Sequence, residues 1–161
     1  DRLSIPFVYF SHDSDYTKIV DDSGAEWVAL SGWLKLVNGL DPKCTFNIHP
    51  ALLSQLHGRF GGKDMYGHRI HEAVKSALDA GEIDHSGLTM HFVTPEYDRG
   101  PVFFEYPVPL IHGMSADQIG KAVNDTEHVW QPRITNMVMH GEISWDGEHR
   151  ESLVVPKTLT S

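Results

Sequence analysis

The chain has 161 residues, with 13 Lys or Arg, 22 Asp or Glu and a formal net charge of −9 when the histidines are neutral. This length predicts one domain over residues 1–161, and the acidic balance argues against nucleic acids and anionic membranes as partners. No apolar run approaches the roughly 18 residues of a membrane span, and the single cysteine, Cys44, excludes a disulfide framework and suits a reducing compartment, the cytoplasm.

Strand-like and helix-like segments alternate along the sequence. Short apolar runs predict strands at 5–10, 25–30, 44–49, 88–93 and 101–106. Apolar residues at helical spacing predict a helix over 68–80, and Ser115 is the predicted N-cap of a longer helix that ends near His140. An Asp-Gly pair predicts a closing hairpin made of 143–147 and 148–155. The order predicts an α/β sheet with a mixed edge and a β-rich C-terminal hairpin.

Two polar residues stand at the end of the third predicted strand, which Pro50 terminates. Asn47 and His49 alternate onto the same side of this strand, at the sheet edge where α/β proteins bind ligands. An Asn side chain can donate a hydrogen bond to a developing oxyanion, and a His can exchange protons near neutral pH. Asp98, in the turn before Gly100, can orient a His or a water. The residue types alone are also compatible with Asn47 and His49 satisfying backbone groups and with Asp98 forming a turn.

The eleven histidines raise the question of a metal site. The sequence contains no His-Glu-x-x-His motif, and Cys44 has no partner cysteine, so no metal is predicted. The Gly-rich stretch 59–63 carries Arg59 and Lys63, which can attract an anion, although it lacks the Walker pattern. The alternative is that both cations are solvated on a loop that covers the sheet.

Several stretches of the sequence together resemble the 10-formyltetrahydrofolate-dependent formyltransferases. They are 30–36, 47–53, 61–67, 70–74, 91–93, 98–101, 125–128 and 132–134. The likeness extends over residues 5–147 and is greatest to the branch of the family that formylates glycinamide ribonucleotide in de novo purine synthesis. It implies a Rossmann-like α/β fold with a mostly parallel sheet, truncated at its N-terminus because the sequence starts beyond the family's phosphate-binding loop. It also implies 10-formyltetrahydrofolate as the formyl donor and no metal.

The resemblance also assigns roles to individual residues. Asn47 is implied as the oxyanion donor, and His49 as the group that stabilises the tetrahedral intermediate and handles a proton. Asp98 is implied as the carboxylate that orients His49 and accepts the proton lost by the amine. Glu127 is implied as the contact to the substrate ribose. The implied folate pocket consists of Leu34, Lys35, Leu36, Val37, Thr94, Pro95, Glu96, Tyr97 and Arg99.

The start of the sequence beyond the family's phosphate loop leads to two more expectations. Arg59 and Lys63 become the candidates to hold the substrate phosphate, because the glycines between them let backbone N–H groups approach an anion. A sheet without its end strands exposes apolar faces, so residues near 1–35 are predicted to form the interface of a homodimer or a larger homo-oligomer.

Other functions stay open at this point. A hydrolase of 10-formyltetrahydrofolate uses the same three residues with water as the acceptor, and another amine can take the place of glycinamide ribonucleotide. A methionyl-tRNA formyltransferase is disfavoured, because the tail is short and the net charge is −9. A non-catalytic folate-binding module is the alternative from a different class, and folate binding without turnover would indicate it.

Overall fold

The structure, a computed structural model, describes residues 4–11 and 13–159. Its helices and strands, in chain order, are α1 (Tyr16–Ser23), β1 (Val28–Leu30), β2 (Thr45–His49), α2 (His68–Asp79), β3 (His85–Phe92), β4 (Val102–Pro109) and α3 (Ala116–Met139). Short 3₁₀ turns lie at Gln55–Gly58, Arg150–Ser152 and Lys157–Leu159. The two helices predicted from the sequence are confirmed as α2 and α3.

The four strands form one sheet in the order β1-β2-β3-β4. β1 pairs with β2 in parallel, whereas the β2–β3 and β3–β4 pairs are antiparallel. The predicted α/β architecture is confirmed, with one correction: the expected predominance of parallel pairing does not hold for the described strands. β4 follows β3 through the short connection 93–101, and a parallel pair needs a crossover of a dozen or more residues.

One predicted strand is absent from the described residues. Residues 5–10 form no regular element, and Phe7 and Tyr9 are 87% and 88% exposed. An apolar run becomes a strand only when its backbone groups find partners, and none of the described strands pairs with this segment. The prediction of a strand at 5–10 is therefore wrong.

Helix α1 was not predicted from the sequence. The Asp15 side chain accepts a hydrogen bond from the Lys18 N–H at 3.1 Å and caps the N-terminus, and Gly24 ends the helix. The helix has eight residues and buries none of its side chains, so it is shorter than the stretch over which apolar spacing identifies a helix.

The predicted C-terminal hairpin is also corrected. It is reduced to one bridge between Ser144 and Val154. Asp146 Oδ1 accepts hydrogen bonds from the N–H groups of Glu148 and His149, each at 2.8 Å. These bonds fold the Asp-Gly region into a loop that leads into a 3₁₀ turn, instead of a tight two-residue turn between strands.

Two apolar clusters form the core. The larger lies between the sheet and α3 and includes Phe46, Ile48, Met90, Phe92, Val123 and Ile134. The smaller joins α2 to α3 and includes Phe60, Ile70, Val74 and Ile119. Because Phe46 and Ile48 of β2 enter the larger cluster, alternation along the strand turns Asn47 and His49 to the opposite face of the sheet.

Candidate active site

Asn47 and His49 lie side by side on one face of β2, at the end of the strand. β3 runs antiparallel beside it, in a register that places His91 opposite Asn47. The loop after β3 then brings Asp98 back toward the same point. The structure therefore gathers Asn47, His49 and Asp98, the three residues that the resemblance implied as catalytic, and adds His91 to them.

Short distances join these side chains. Asp98 Oδ1 lies 3.7 Å from His49 Nδ1 and 3.5 Å from His91 Nε2. The Asn47 amide nitrogen lies 3.2 Å from His91 Nε2. The side chains of His49, His91 and Asp98 are only 4%, 3% and 11% exposed, so their charges interact through a medium that screens them far less than water does.

The hydrogen bonds of His49 determine which of its ring nitrogens is free. His49 Nε2 lies 2.7 Å from the Phe60 carbonyl oxygen, so this nitrogen carries the proton and donates it. Nδ1 then faces Asp98 with its lone pair. Burial lowers the pKa of His49, and the Asp98 charge and the Phe60 hydrogen bond offset only part of that effect. At neutral pH His49 is therefore a neutral base, with Nδ1 ready to take a proton.

Asp98 is held in its position by its backbone and by the neighbouring loop. Its φ is 52°, in the left-handed region that non-glycine residues rarely adopt. Its Oδ2 accepts a hydrogen bond from the Gly62 N–H at 2.8 Å. Burial opposes ionisation, but the nearby His91 and His49 side chains and the hydrogen bond from the Gly62 amide outweigh it and lower the pKa of Asp98. The carboxylate therefore stays ionised.

Gly100 allows the Asp98 loop to lie against β3. A Cβ at this position would stand 1.7 Å from the Phe92 carbonyl oxygen, which no side chain can tolerate. The absence of a side chain at Gly100 therefore fixes how closely the loop approaches the strand, and with it the position of Asp98.

His91 is a site residue to which the sequence analysis gave no role. Its Nδ1 donates to the Phe92 carbonyl oxygen at 2.9 Å, which leaves Nε2 to accept a hydrogen bond from the Asn47 amide. His91 thereby orients Asn47 as well as facing Asp98. The sequence places His91 on a strand, but only the pairing register shows that it stands opposite Asn47.

A cavity of about 490 Å³ opens above these residues. Residues 30–37 form one wall, residues 62–67 form another, and the loop after β3 forms a third. The exposed face of α3 adds polar groups at helical spacing. They come from Asn124, Glu127, His128 and Gln131. Flat, partly apolar clefts with a few convergent polar groups are typical of small-molecule sites.

Most of the residues implied for folate and substrate binding line this cavity. They are Leu34, Lys35, Leu36, Val37, Thr94, Glu96, Tyr97, Lys63 and Glu127. Burial raises the pKa of Glu127, and the nearby His128 opposes that shift. Asn124, His128 and Gln131 were not predicted, although Asn124 and Gln131 stand three and four residues from Glu127, a spacing that places them on the same helix face.

Three of the implied binding residues do not line the cavity: Pro95, Arg99 and Arg59. The Arg59 guanidinium forms an ion pair with Glu82 at 2.5 Å, outside the cavity. The Arg99 backbone carbonyl accepts a hydrogen bond from Arg150. Successive loop residues point in different directions, so a contiguous stretch such as 94–99 cannot contribute every side chain to one pocket.

Helices α2 and α3 meet closely at the back of the cavity. A Cβ on Gly120 would lie 2.8 Å from His71 Cδ2, so the glycine makes room for the imidazole. Burial is the main reason that the pKa of His71 is lowered, and His68 and His49 lower it further against the opposing charge of Asp117. His71 therefore adds a neutral, half-buried ring to the lining.

In the described part of the chain, no group of three or more His, Cys, Asp or Glu side chains is arranged to hold a metal ion. No helix among the described residues is both long and apolar enough to cross a membrane.

The sequence and the fold are similar to those of known formyltransferases. The formyl transferase family model matches residues 10–135. The chain is 34% identical over 136 residues to phosphoribosylglycinamide formyltransferase, chloroplastic, from Arabidopsis thaliana, in an alignment that covers 82% of this chain and 44% of that protein. It is 30% identical over 152 residues to phosphoribosylglycinamide formyltransferase from Escherichia coli (strain K12), covering 86% of this chain and 64% of that protein.

Among solved structures, the chain is similar to glycinamide ribonucleotide transformylase 1 from Symbiobacterium toebii. The TM-score is 0.66 at 27% identity, and the match covers 81% of this chain and 57% of that chain. This likeness confirms the Rossmann-like α/β fold. The chain spans less than half the length of the Arabidopsis relative.

Proposed function

Because the chain belongs to the formyl transferase family, we propose that it transfers a formyl group from 10-formyltetrahydrofolate to the amine of glycinamide ribonucleotide, as a step of purine synthesis. The observation that carries this proposal is the convergence of Asn47, His49 and Asp98 in the lining of one cavity. The similarity to phosphoribosylglycinamide formyltransferases from Arabidopsis and Escherichia coli supports the choice of acceptor.

The geometry supports a direct attack of the amine on the formyl carbon. A new C–N bond forms, and the formyl oxygen gains negative charge as the tetrahedral intermediate develops. Asn47, oriented by His91 at 3.2 Å, donates an N–H to that oxygen. Collapse of the intermediate breaks the bond between the formyl carbon and the folate nitrogen and leaves the formyl group on the acceptor.

His49 carries the proton between the two nitrogens. Its free Nδ1 takes the proton that the attacking amine loses and returns it to the departing folate nitrogen. Asp98, 3.7 Å away, stabilises the imidazolium that exists in between. The lowered pKa of Asp98 makes it a weak base. We therefore propose that His49, and not Asp98, takes the proton, and that the negative charge of Asp98 stabilises protonated His49.

The cavity offers separate places for the two substrates. The donor's flat ring system fits between Leu34–Val37 and the loop that carries Thr94, Glu96 and Tyr97. The acceptor fits against α3, where Glu127 can contact a ribose hydroxyl. Lys63 is the remaining candidate for the substrate phosphate, because it lines the cavity whereas Arg59 pairs with Glu82.

Single-turnover assays with 10-formyltetrahydrofolate test the proposal, using glycinamide ribonucleotide, a panel of other amines and water as acceptors. We expect rapid formylation of glycinamide ribonucleotide only. His49→Ala should slow the transfer by about 10²–10⁴-fold, whereas His112→Ala, an exposed histidine outside this cavity, should leave it unchanged. Formate release with water alone would identify a hydrolase, and folate binding without any turnover would identify a binding module.

We also propose that residues 1–161 form one domain that assembles as a homodimer or a larger homo-oligomer through residues near 1–35. Residues 1–3 and 12 of that range lie outside the described residues. The support comes from Ile5, Phe7, Val8 and Tyr9, which are apolar and at least 61% exposed.

For the compartment, we propose the cytoplasm, because Cys44 is a free thiol. The Arabidopsis relative is named as chloroplastic, so imaging of a tagged protein in its own cells is the test.

A further inference from the structure

The two walls of the donor side of the cavity are joined by one hydrogen bond. The Leu36 N–H donates to the Tyr97 hydroxyl oxygen at 3.0 Å, although 61 residues separate the two positions in the sequence. Leu36 lies on the wall formed by residues 30–37, and Tyr97 lies on the loop after β3. The bond therefore connects parts of the chain that are distant in sequence and face each other across the cavity.

The wall that carries Leu36 has little regular structure of its own. Residues 31–41 form no helix or strand. At one end, β1 pairs with β2, and at the other the Gly39 carbonyl oxygen accepts a hydrogen bond from the Thr17 hydroxyl at 3.2 Å. The bond from Leu36 to Tyr97 lies between these two attachments, where the wall faces the cavity.

The loop that carries Tyr97 is fixed much more firmly. Tyr97 directly precedes Asp98, whose carboxylate is bonded to the Gly62 N–H. Two residues further on, Gly100 packs against the backbone of Phe92 without room for a side chain. On either side of Leu36, the wall is held by packing of Trp33 against the Phe10 and Tyr16 rings and by the buried Val37 side chain. Between them, the phenol of Tyr97 extends from a fixed base and provides the partner of the Leu36 N–H.

We propose that Tyr97 is a positioning residue, and that its phenol is a strut that sets the width of the donor slot between residues 34–37 and 94–97. The inference rests on the proposed function, because it takes a folate as the occupant of that slot. Removal of the hydroxyl leaves the Leu36 N–H without its partner and lets the wall move. The fit of a flat ring depends on the separation of the walls, so the donor is affected and the acceptor at α3 is not.

The matched pair Tyr97→Phe and Tyr106→Phe tests the strut. Both tyrosines are 38% exposed, and each variant loses only a hydroxyl. Tyr106 lies on β4, packs on the Trp130 ring at 4.8 Å between centroids and is not among the cavity residues. Loss of one partly exposed hydrogen bond predicts a rise of about fivefold in the donor KM of Tyr97→Phe. We expect its acceptor KM and kcat, and all constants of Tyr106→Phe, to match the wild type.

A second measurement tests the hydrogen bond between Leu36 and Tyr97 without any substrate. Amide exchange followed by NMR should show faster exchange at Leu36 in Tyr97→Phe than in the wild type. The Val28 N–H, which donates to the Cys44 carbonyl oxygen at 2.9 Å, should exchange at the same rate in both and serves as the internal reference.

The outcomes separate the strut from the proposed function. An unchanged donor KM in Tyr97→Phe, with normal turnover by the wild type, would overturn the strut alone. An equal loss in kcat and in both KM values would also overturn it, because a general structural defect would then explain the effect. If the wild type neither binds nor uses a folate, the proposed function fails, and the donor role of Tyr97 fails with it.

Discussion

At the scale of single residues, two opposing effects act on the pKa of His49 beside Asp98. Burial favours the neutral imidazole, and the carboxylate 3.7 Å away favours the charged one. Burial is the larger effect, so His49 is unprotonated at neutral pH. The carboxylate then lowers the cost of the charge that appears when His49 accepts a proton.

This balance predicts how His49 titrates. NMR titration of the imidazoles should give His49 a pKa below the ordinary histidine value of about 6.5. Asp98→Asn removes the charge that partly offsets burial, so the pKa of His49 should fall further and transfer should slow. A His49 pKa above the ordinary value in the wild type would contradict the assignment of His49 as a neutral base.

At the scale of elements, the position of Asp98 depends on how the connection between β3 and β4 packs. The loop returns along β3 only because Gly100 presents no side chain to Phe92. A substitution at Gly100 therefore changes the site by moving the backbone that carries Asp98, although Gly100 itself contributes no group to the chemistry.

Gly100→Ala measures this dependence. The added Cβ would overlap the Phe92 carbonyl oxygen, so the loop must shift, and overpacking of this kind costs about 1–3 kcal/mol of the unfolding free energy. Urea unfolding should show that loss. The kcat of the folded variant should fall as well, because Asp98 moves with the loop. Wild-type kcat in a destabilised Gly100→Ala protein would show that the loop's position does not control Asp98.

The helices were the part of the fold that the sequence predicted best, because their signals are local. The apolar spacing of α2 and the N-cap Ser115 of α3 lie within the elements themselves. The predicted strand at 5–10 was wrong because strands depend on partners elsewhere in the chain. For the same reason the parallel or antiparallel direction of β3 and β4 could not be derived from their own residues.

The candidate site was predictable to a similar degree. Asn47 and His49 could be identified because alternation along a strand that ends at a proline is a local signal. The role of His91 depends on the register between β2 and β3. The placement of Arg59 beside Glu82 depends on a contact across 23 residues. Contacts of these two kinds appear only when the chain is folded.

At the scale of the whole molecule, an acidic chain of net charge −9 carries an exposed apolar segment near its start. Charge of one sign favours solubility and separation, whereas exposed apolar side chains favour association. Phe7 and Tyr9 are the most exposed large apolar residues described, so association should depend on them.

Sedimentation at micromolar concentration tests this dependence. The wild type should sediment with at least twice the mass of one 18.1 kDa chain. A Phe7→Ser and Tyr9→Ser double variant should sediment as a monomer. Val154→Ser, at a residue that is 54% exposed but lies far along the chain from this segment, should keep the wild-type mass. A wild-type protein that sediments as a single chain would remove the predicted assembly.

The burial that makes His49 a base also limits the acid tolerance of the fold. A group whose folded pKa is depressed stabilises the protein fully above its unfolded pKa, and the stabilisation is lost as pH falls toward the folded value. For His49 that loss begins below about pH 6.5, well above the range in which Asp98 takes up its proton. His49→Gln keeps an N–H donor for the Phe60 carbonyl but does not titrate, so its unfolding free energy should fall less than that of the wild type as the pH drops below about 6.5. Burial of His49 thus keeps the imidazole neutral for proton transfer, and it lowers the stability of the fold in acid.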